Sequence, residues 1–289
     1  MKEHFKYEIY SGAGNTFVMI NNLNWNFQIP LYKQDEFARE ICRDYFKEVD
    51  GVIFADKPVT YGSNVRMNYY NRDGSFGAMC GNGSRCLAMY IYKNGIISGK
   101  EIILEAVDDL YKAEIINDKN VKITFPEPKE VRFNITIKAE LNGGLKELVV
   151  NYADVGSDHI VLFMDDEVNK AALGSCSVDE IDINYIGVTL RNHYEFLPRG
   201  VNVNFVQPLS ENEIKIRTYE RGVERETLAC GTGIVSSGIV SALRGKVKTP
   251  VKVLVQSTEQ LIVDFGFRDG RISDLSLTGS AIKISEGRI

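Results

Sequence analysis

The chain has 289 residues, 44% of them hydrophobic and 25% charged, with a formal net charge of −5. That length suits one large domain or two smaller ones, and the composition is that of an ordinary globular protein. No run of Lys or Arg marks a nucleic-acid footprint, and no apolar stretch of about 18 residues marks a membrane span.

The run MKEHFKYEIYSG lacks the apolar centre of a signal peptide and reads as the start of a folded strand. Five cysteines, an odd number, fit a reducing cytoplasm better than a secreted disulfide framework. KYEIY and FVMINN are predicted strands around a turn at Gly12–Gly14. From Gln34 to Phe46 the pattern predicts a helix, with Phe37, Ile41 and Tyr45 near one face and Asp35, Glu36 and Glu40 off it. GVIFA and VRMNYY are strands, followed by a Gly-rich turn and a short helix from about Ser84 to Lys93. EIILEA, YKAEII and VKITF complete a strand-rich region. PEPKEV, Pro126–Val131, is the linker candidate, with two prolines and three charges.

Beyond it the order repeats. ITIKAEL, ELVVNYA and IVLFM are predicted strands, VDEIDINYIGVTLRN a helix, and VNVNFVQ and EIKIRTY strands again. A second Gly-rich turn leads to a helix over about Ile234–Leu243, and VKVLVQS, LIVDFGF and the last strands close the chain. The expected division is an α/β protein with one half over residues 1–126, completed by a strand over 279–289, and a second half over 127–278.

The informative repeat is chemical. Residues 79–87 read MCGNGSRCL and residues 229–237 read ACGTGIVSS, so the two leading cysteines lie 230 − 80 = 150 residues apart, about half the chain. The first turn of a helix leaves backbone N–H groups unpartnered and carries partial positive charge. A carboxylate or thiolate is stabilised there, so a cysteine at that place should ionise below the ordinary thiol value of about 8.5. Two such turns would hold one carboxylate from both sides and put a sulfur on each face of the adjacent carbon. One thiolate could then remove an α-proton while the other thiol returns one, with the helix ends stabilising the carbanion and no pyridoxal phosphate required. A lone Cys-Gly-x-Gly turn says little, because a cysteine is more often a small buried apolar residue. Packing is the expectation for Cys42, Cys176 and Cys86, and the spacing of Cys80 and Cys86 does not match a zinc pair.

Residues Gly12–Phe17 (GAGNTF), Asn71–Ser75 (NRDGS), Met79–Gly83 (MCGNG), Val201–Val203 (VNV) and Glu220–Gly222 (ERG) with Glu226–Gly233 (ETLACGTG) resemble the diaminopimelate epimerase family, in its order along the chain. The Cys-Gly-Asn-Gly turn separates the chain from the proline racemase group, whose first turn is similar to Cys-Gly-His. The resemblance implies two pseudo-symmetric halves, each a curved sheet around a central helix, with the site in the cleft between. It implies Cys80 and Cys230 as the acid/base thiols, with His159 and Glu220 as polar partners. Gly81, Asn82, Gly231 and Thr232 are then donors to the reacting carboxylate, and Asn15, Asn71, Asn202 and Arg221 read the far end of the substrate. The implied activity interconverts L,L- and meso-diaminopimelate in lysine and peptidoglycan precursor synthesis, with no metal and no cofactor. A racemase of another amino acid, such as histidine, is the alternative. The partner is a small amino acid, not a nucleic acid or membrane, and the resemblance is compatible with a homodimer. Gly-Asn-Thr-Phe stands where the family usually has Gly-Asn-Asp-Phe, and Gly-Ser-Asp precedes His159 where Gly-Asn-Pro is common.

Overall fold

The computed structural model describes residues 5–23, 28–77, 79–107 and 109–289. In chain order the elements are β1 (Lys6–Gly12), β2 (Asn15–Asn21), α1 (Leu31–Asp44), β3 (Gly51–Asp56), β4 (Val65–Asn71), α2 (Gly81–Lys93), β5 (Glu101–Ala106), β6 (Asp109–Ile115) and β7 (Asn120–Thr124). They continue with β8 (Glu130–Leu141), β9 (Gly144–Asp154), β10 (Asp158–Phe163), α3 (Glu167–Leu173), α4 (Ile183–Arg191), β11 (Asn202–Ser210), β12 (Glu213–Glu220) and β13 (Arg225–Thr227). The chain closes with α5 (Gly231–Leu243), β14 (Val251–Leu254), β15 (Gln260–Arg268), β16 (Arg271–Ser280) and β17 (Ile282–Arg288). This is a mixed α/β fold built mostly of strands. Residues 1–4 of the expected opening strand, and Ala78 of the first Gly-rich turn, lie outside the described residues. Two compact units result, one of Met1–Thr124 with Thr278–Ile289 and one of Phe125–Leu277.

The units share a topology. In the first, β1 pairs antiparallel with β2, β2 parallel with β3 across α1, β3 antiparallel with β4, and β4 parallel with β5 across α2. In the second, β9 pairs antiparallel with β10, β10 parallel with β11 across α3 and α4, β11 antiparallel with β12, and β12 parallel with β14 across α5. A parallel pair needs a crossover, and in both units the helix after the cysteine is that crossover. Register then sets equivalences. Phe17 pairs with Gly51 and Ile53 with Tyr69, while His159 pairs with Asn202 and Asn204 with Thr218. Phe17, Ile53 and Tyr69 therefore correspond to His159, Asn204 and Thr218.

Both crossover helices are buried. Every residue of α2 from Gly81 to Ile91 is buried, as is α5 from Gly233 to Ser241. A helix buried on all sides must be apolar or small-residued round its circumference, and LAMYI and GIVSSGIV satisfy that. In the second unit β9, β10 and β11 pack apolar side chains such as Leu148, Ile160 and Phe205 with Ile183, Ile186 and Leu190 of α4.

Several expectations need correcting. Both crossover helices begin three residues earlier than predicted, at Gly81 and Gly231, so the Gly-x-Gly pairs form their first turns and do not precede them. The predicted helix over residues 178–192 is confined to α4, because Asp182 caps it by accepting the Tyr185 N–H at 3.0 Å. Helix α3 and strand β13 were not foreseen. The buried face of α1 is Gln34, Ala38, Ile41 and Cys42, whereas Tyr45 is 58% exposed just past its end. Cys42 and Cys86 pack as expected, and burial pushes the Cys42 thiol up to about 11. Cys176, expected to pack too, is exposed in the segment between α3 and α4.

Candidate active site

Each crossover helix is capped by its cysteine. Cys80 has φ −113° and ψ 107°, and Cys230 has φ −109° and ψ 113°, both extended. The carbonyl oxygens start the helices, accepting the Ser84 N–H at 2.8 Å and the Ile234 N–H at 2.9 Å. The Cys80 sulfur accepts the Gly83 N–H at 3.4 Å, in the place where a cap hydroxyl usually sits. The Cys80 sulfur thus lies among the first-turn N–H groups, which favour negative charge. Cys230 is 7% exposed, and Cys80 is less buried.

The fourth residue of each Cys-Gly-x-Gly run is glycine for a packing reason. A Cβ on Gly83 would lie 2.7 Å from Ile53 Cδ1 and 3.2 Å from Met67 Cε. A Cβ on Gly233 would lie 2.5 Å from Asn204 Oδ1 and 3.4 Å from His159 Cε1. Both helices start in direct contact with the strands beneath them.

In the first unit Asn82 Nδ2 donates to Asn15 Oδ1 at 2.7 Å, so two of the predicted binding residues meet beside Cys80. Arg85, fully buried, donates to Asn82 Oδ1 at 2.9 Å, to the Gly81 carbonyl at 3.3 Å and to the Ser280 carbonyl at 3.2 Å. It orients the first turn of α2 and ties it to the end of the chain. Asn71 is held differently. Its side chain accepts from Tyr69 Oη at 2.8 Å and donates to Ser75 Oγ at 3.0 Å, inside the turn after β4.

In the second unit His159 has no exposed surface, and its Nε2 lies 2.9 Å from both Ser157 Oγ and Thr232 Oγ1. Thr232 Oγ1 in turn is 3.6 Å from the Cys230 sulfur, which brings Cys230, Thr232 and His159 together. Nδ1 of His159 is 3.1 Å from Asn204 Nδ2. Burial pushes this imidazole down to about 3, helped by Arg221 and opposed by Asp158, so the ring is neutral near pH 7. Glu220, at the end of β12, accepts the Thr227 hydroxyl at 2.8 Å.

Asn202 and Arg221 form a second cluster. Asn202 Oδ1 accepts the Arg221 N–H at 2.8 Å, and its Nδ2 donates to the Asp158 carbonyl at 2.9 Å. Arg221 Nη1 donates to Asp158 Oδ2 and to the Gly200 carbonyl, each at 3.0 Å. The carboxylate of Asp158 also takes Tyr152 Oη at 2.6 Å and Arg199 Nη2 at 2.7 Å. Burial works against ionising Asp158, but the Tyr152 and Arg221 hydrogen bonds and the two guanidinium charges hold it below the usual carboxylate range. Arg85, Asp158, Asn204 and Thr218 escaped the sequence reading. The available signal was a charged or amide residue inside an otherwise apolar buried element, as in NVNFV and GSRCLAM.

Among the described residues, no group of three or more His, Cys, Asp and Glu side chains is placed to hold a metal ion, and no helix is long and apolar enough to cross a membrane.

The family profile described as diaminopimelate epimerase matches residues 7–129 and 151–264. A diaminopimelate epimerase of Aquifex aeolicus (strain VF5) is 37% identical over 286 residues, covering 96% of this chain and 95% of its own. A diaminopimelate epimerase of Hydrogenobaculum sp. (strain Y04AAS1) is 34% identical, covering 97% and 96%. In fold, the chain is similar to a hydroxyproline epimerase from Agrobacterium vitis, with a TM-score of 0.67 at 16% identity, over 100% of this chain and 93% of that one.

Proposed function

The chain belongs to the diaminopimelate epimerase family, and from that premise we infer an isomerase that inverts one α-carbon of diaminopimelate, interconverting the L,L and meso forms. The observation that carries this reading is the duplicated cysteine cap. In two units of one topology, a cysteine caps the buried helix that crosses over between two parallel strands.

In this reading Cys80 and Cys230 are the two acid/base groups. One acts as thiolate and takes the α-proton, becoming a thiol. The other acts as thiol and returns a proton to the opposite face, becoming a thiolate. The first-turn N–H groups at Gly81, Asn82, Gly231 and Thr232 take the α-carboxylate as charge builds on it, so the reaction requires no cofactor. Support comes from the extended cap geometry shared by both cysteines and from the Gly83 N–H that donates to the Cys80 sulfur. His159 positions the Cys230 side through Thr232, and Glu220 is its assigned polar partner. Asn15, Asn71, Asn202 and Arg221 are the assigned readers of the distal amino and carboxylate groups. For Arg221, the anchoring of Nη1 on Asp158 and a backbone carbonyl pre-orients a guanidinium that can pair bidentately with a carboxylate. An acidic, thiol-bearing chain of this activity fits a reducing cytoplasm and the supply of lysine and cell-wall precursors.

The test is incubation of the purified protein with L,L-diaminopimelate in deuterated water. Growth of the meso isomer carrying one α-deuterium is expected, with histidine, lysine, glutamate and proline turned over far more slowly. Faster turnover of histidine would overturn the substrate assignment. No α-exchange with any amino acid would overturn the reaction.

A further inference from the structure

The hydrogen bonds beneath α5 have a direction. Asn204 is fully buried, and its Nδ2 donates to the Ile160 carbonyl at 2.9 Å while Thr218 Oγ1 donates to its Oδ1 at 2.9 Å. A backbone carbonyl can only accept, so the amide cannot be turned over, and the nitrogen faces His159. The second N–H of that nitrogen points at His159 Nδ1, 3.1 Å away. Nδ1 must therefore accept. A neutral ring that accepts at Nδ1 carries its proton on Nε2. Nε2 then donates toward the hydroxyls of Ser157 and Thr232, both at 2.9 Å. Ser157 also donates to Thr232 Oγ1, at 3.0 Å. With its oxygen accepting from these neighbours, Thr232 has its own hydrogen left to donate to the Cys230 sulfur.

We propose that Asn204 is a positioning residue that locks His159 in the Nε2–H tautomer, so that the chain Thr218, Asn204, His159, Thr232 ends as a donor on Cys230 and favours its thiolate. The inference rests on Cys230 being an acid/base thiol. It adds which tautomer the reaction uses and what sets it. The first unit has no counterpart at the equivalent positions, where Phe17, Ile53 and Tyr69 stand; the rings of Phe17 and Tyr69 meet edge to face at 5.7 Å. This chain of donors is therefore particular to the second unit.

Two measurements test this without substrate, so their failure is separable from failure of the epimerase assignment. The first is the tautomer. The chain holds only three histidines, His4, His159 and His193, so multiple-bond proton–nitrogen spectra of labelled protein are assignable by single substitution. Wild type should show His159 neutral with the proton on Nε2. A proton on Nδ1, or an imidazolium at pH 7, would overturn the proposal even if no variant folded. The second is peptide-resolved alkylation by iodoacetamide. In Asn204→Asp the new acceptor should draw the proton to Nδ1 and reverse the chain, and Thr232→Val should cut its last link. Each should slow labelling of Cys230 by about tenfold near neutral pH, with the labelling profile displaced to higher pH and Cys80 unchanged. Labelling of Cys230 at the wild-type rate in Thr232→Val, or equal loss at both cysteines in Asn204→Asp, would overturn it.

Discussion

The floors beneath the two cysteine-capped helices differ where their topology is the same. Under α2 the strands present Phe17, Ile53 and Met67, and the glycine of the first turn sits on methyl groups. Under α5 the strands present His159, Asn204 and Thr218, all buried and all hydrogen-bonded. The cysteine cap and the glycines of the helix start are kept in both, while the layer below differs. An anion site made of backbone N–H groups needs a helix end and a close approach, so it tolerates either floor. The ionisation of a sulfur is sensitive to individual donors, so the floor is where two duplicated sites can be made unequal.

Replacing either cysteine separates what the units share from what they do not. Cys80→Ser and Cys230→Ser should each lower net epimerisation by on the order of 10³-fold or more, since a hydroxyl is a poor base at neutral pH. One-sided α-exchange with solvent deuterium should survive, and its rate should differ between the two variants. Full two-sided turnover in either variant would dissolve the comparison.

The next effect concerns the distal readers. Arg221 is held as part of a buried-carboxylate cluster, whereas Asn71 is satisfied by its own turn. Arg221→Leu should weaken diaminopimelate binding by about 1.5–3 kcal/mol, the worth of a charge-assisted hydrogen bond. Asn71→Ala should cost less. Competitive binding of a non-reacting diacid analogue measures both, and the reverse order would move the distal site to the first unit.

Acid should find the polar floor and spare the apolar one. Because the folded-state pKa of His159 is depressed to about 3, the unfolded chain binds the extra proton below about pH 6.5. Stability is therefore lost as pH falls from about 6.5 toward 3, by up to about 1.4 kcal/mol per pH unit from this group. His159→Phe, which copies the residue at the equivalent place in the first unit, should flatten that limb in urea titrations. An unchanged slope would mean that other groups dominate.

The smallest effect is expected at Cys176, exposed and remote from both caps in sequence. Cys176→Ser should alter stability by no more than about 0.5 kcal/mol. Thermal unfolding checks it, and a large loss would assign Cys176 a structural role.

What could be read from the sequence was whatever repeats or alternates. The two Cys-Gly-x-Gly runs, the strands with apolar alternation and the helices after the glycines were legible because they depend on local pattern. Helix starts were misplaced because a cysteine capping its own helix moves the boundary onto glycines that otherwise read as a turn. Helix α3 was missed because EVNKAAL is short and lacks an apolar stripe; Asp166, capping the Val168 N–H at 3.0 Å, and Asn169 hold it in place. Tyr45 was misjudged because helical spacing was carried past the last turn. The floor of α5 was not legible at all. Asn204 and Thr218 lie 14 residues apart and His159 lies 45 residues before Asn204, so only strand register brings them together.

The pairing of β1 with β17 couples the order of synthesis to folding. Lys6 is matched to Arg288 and Ser11 to Ile282, and Ala281 donates to the Lys119 carbonyl. The opening unit thus borrows its last strand from a segment made only after the whole of the second unit has been synthesised. The second unit can fold on emergence, while the first must wait with its β1 edge open. Early chains are therefore exposed along β1, and a disruption confined to residues 278–289 would damage the first unit and leave the second folded.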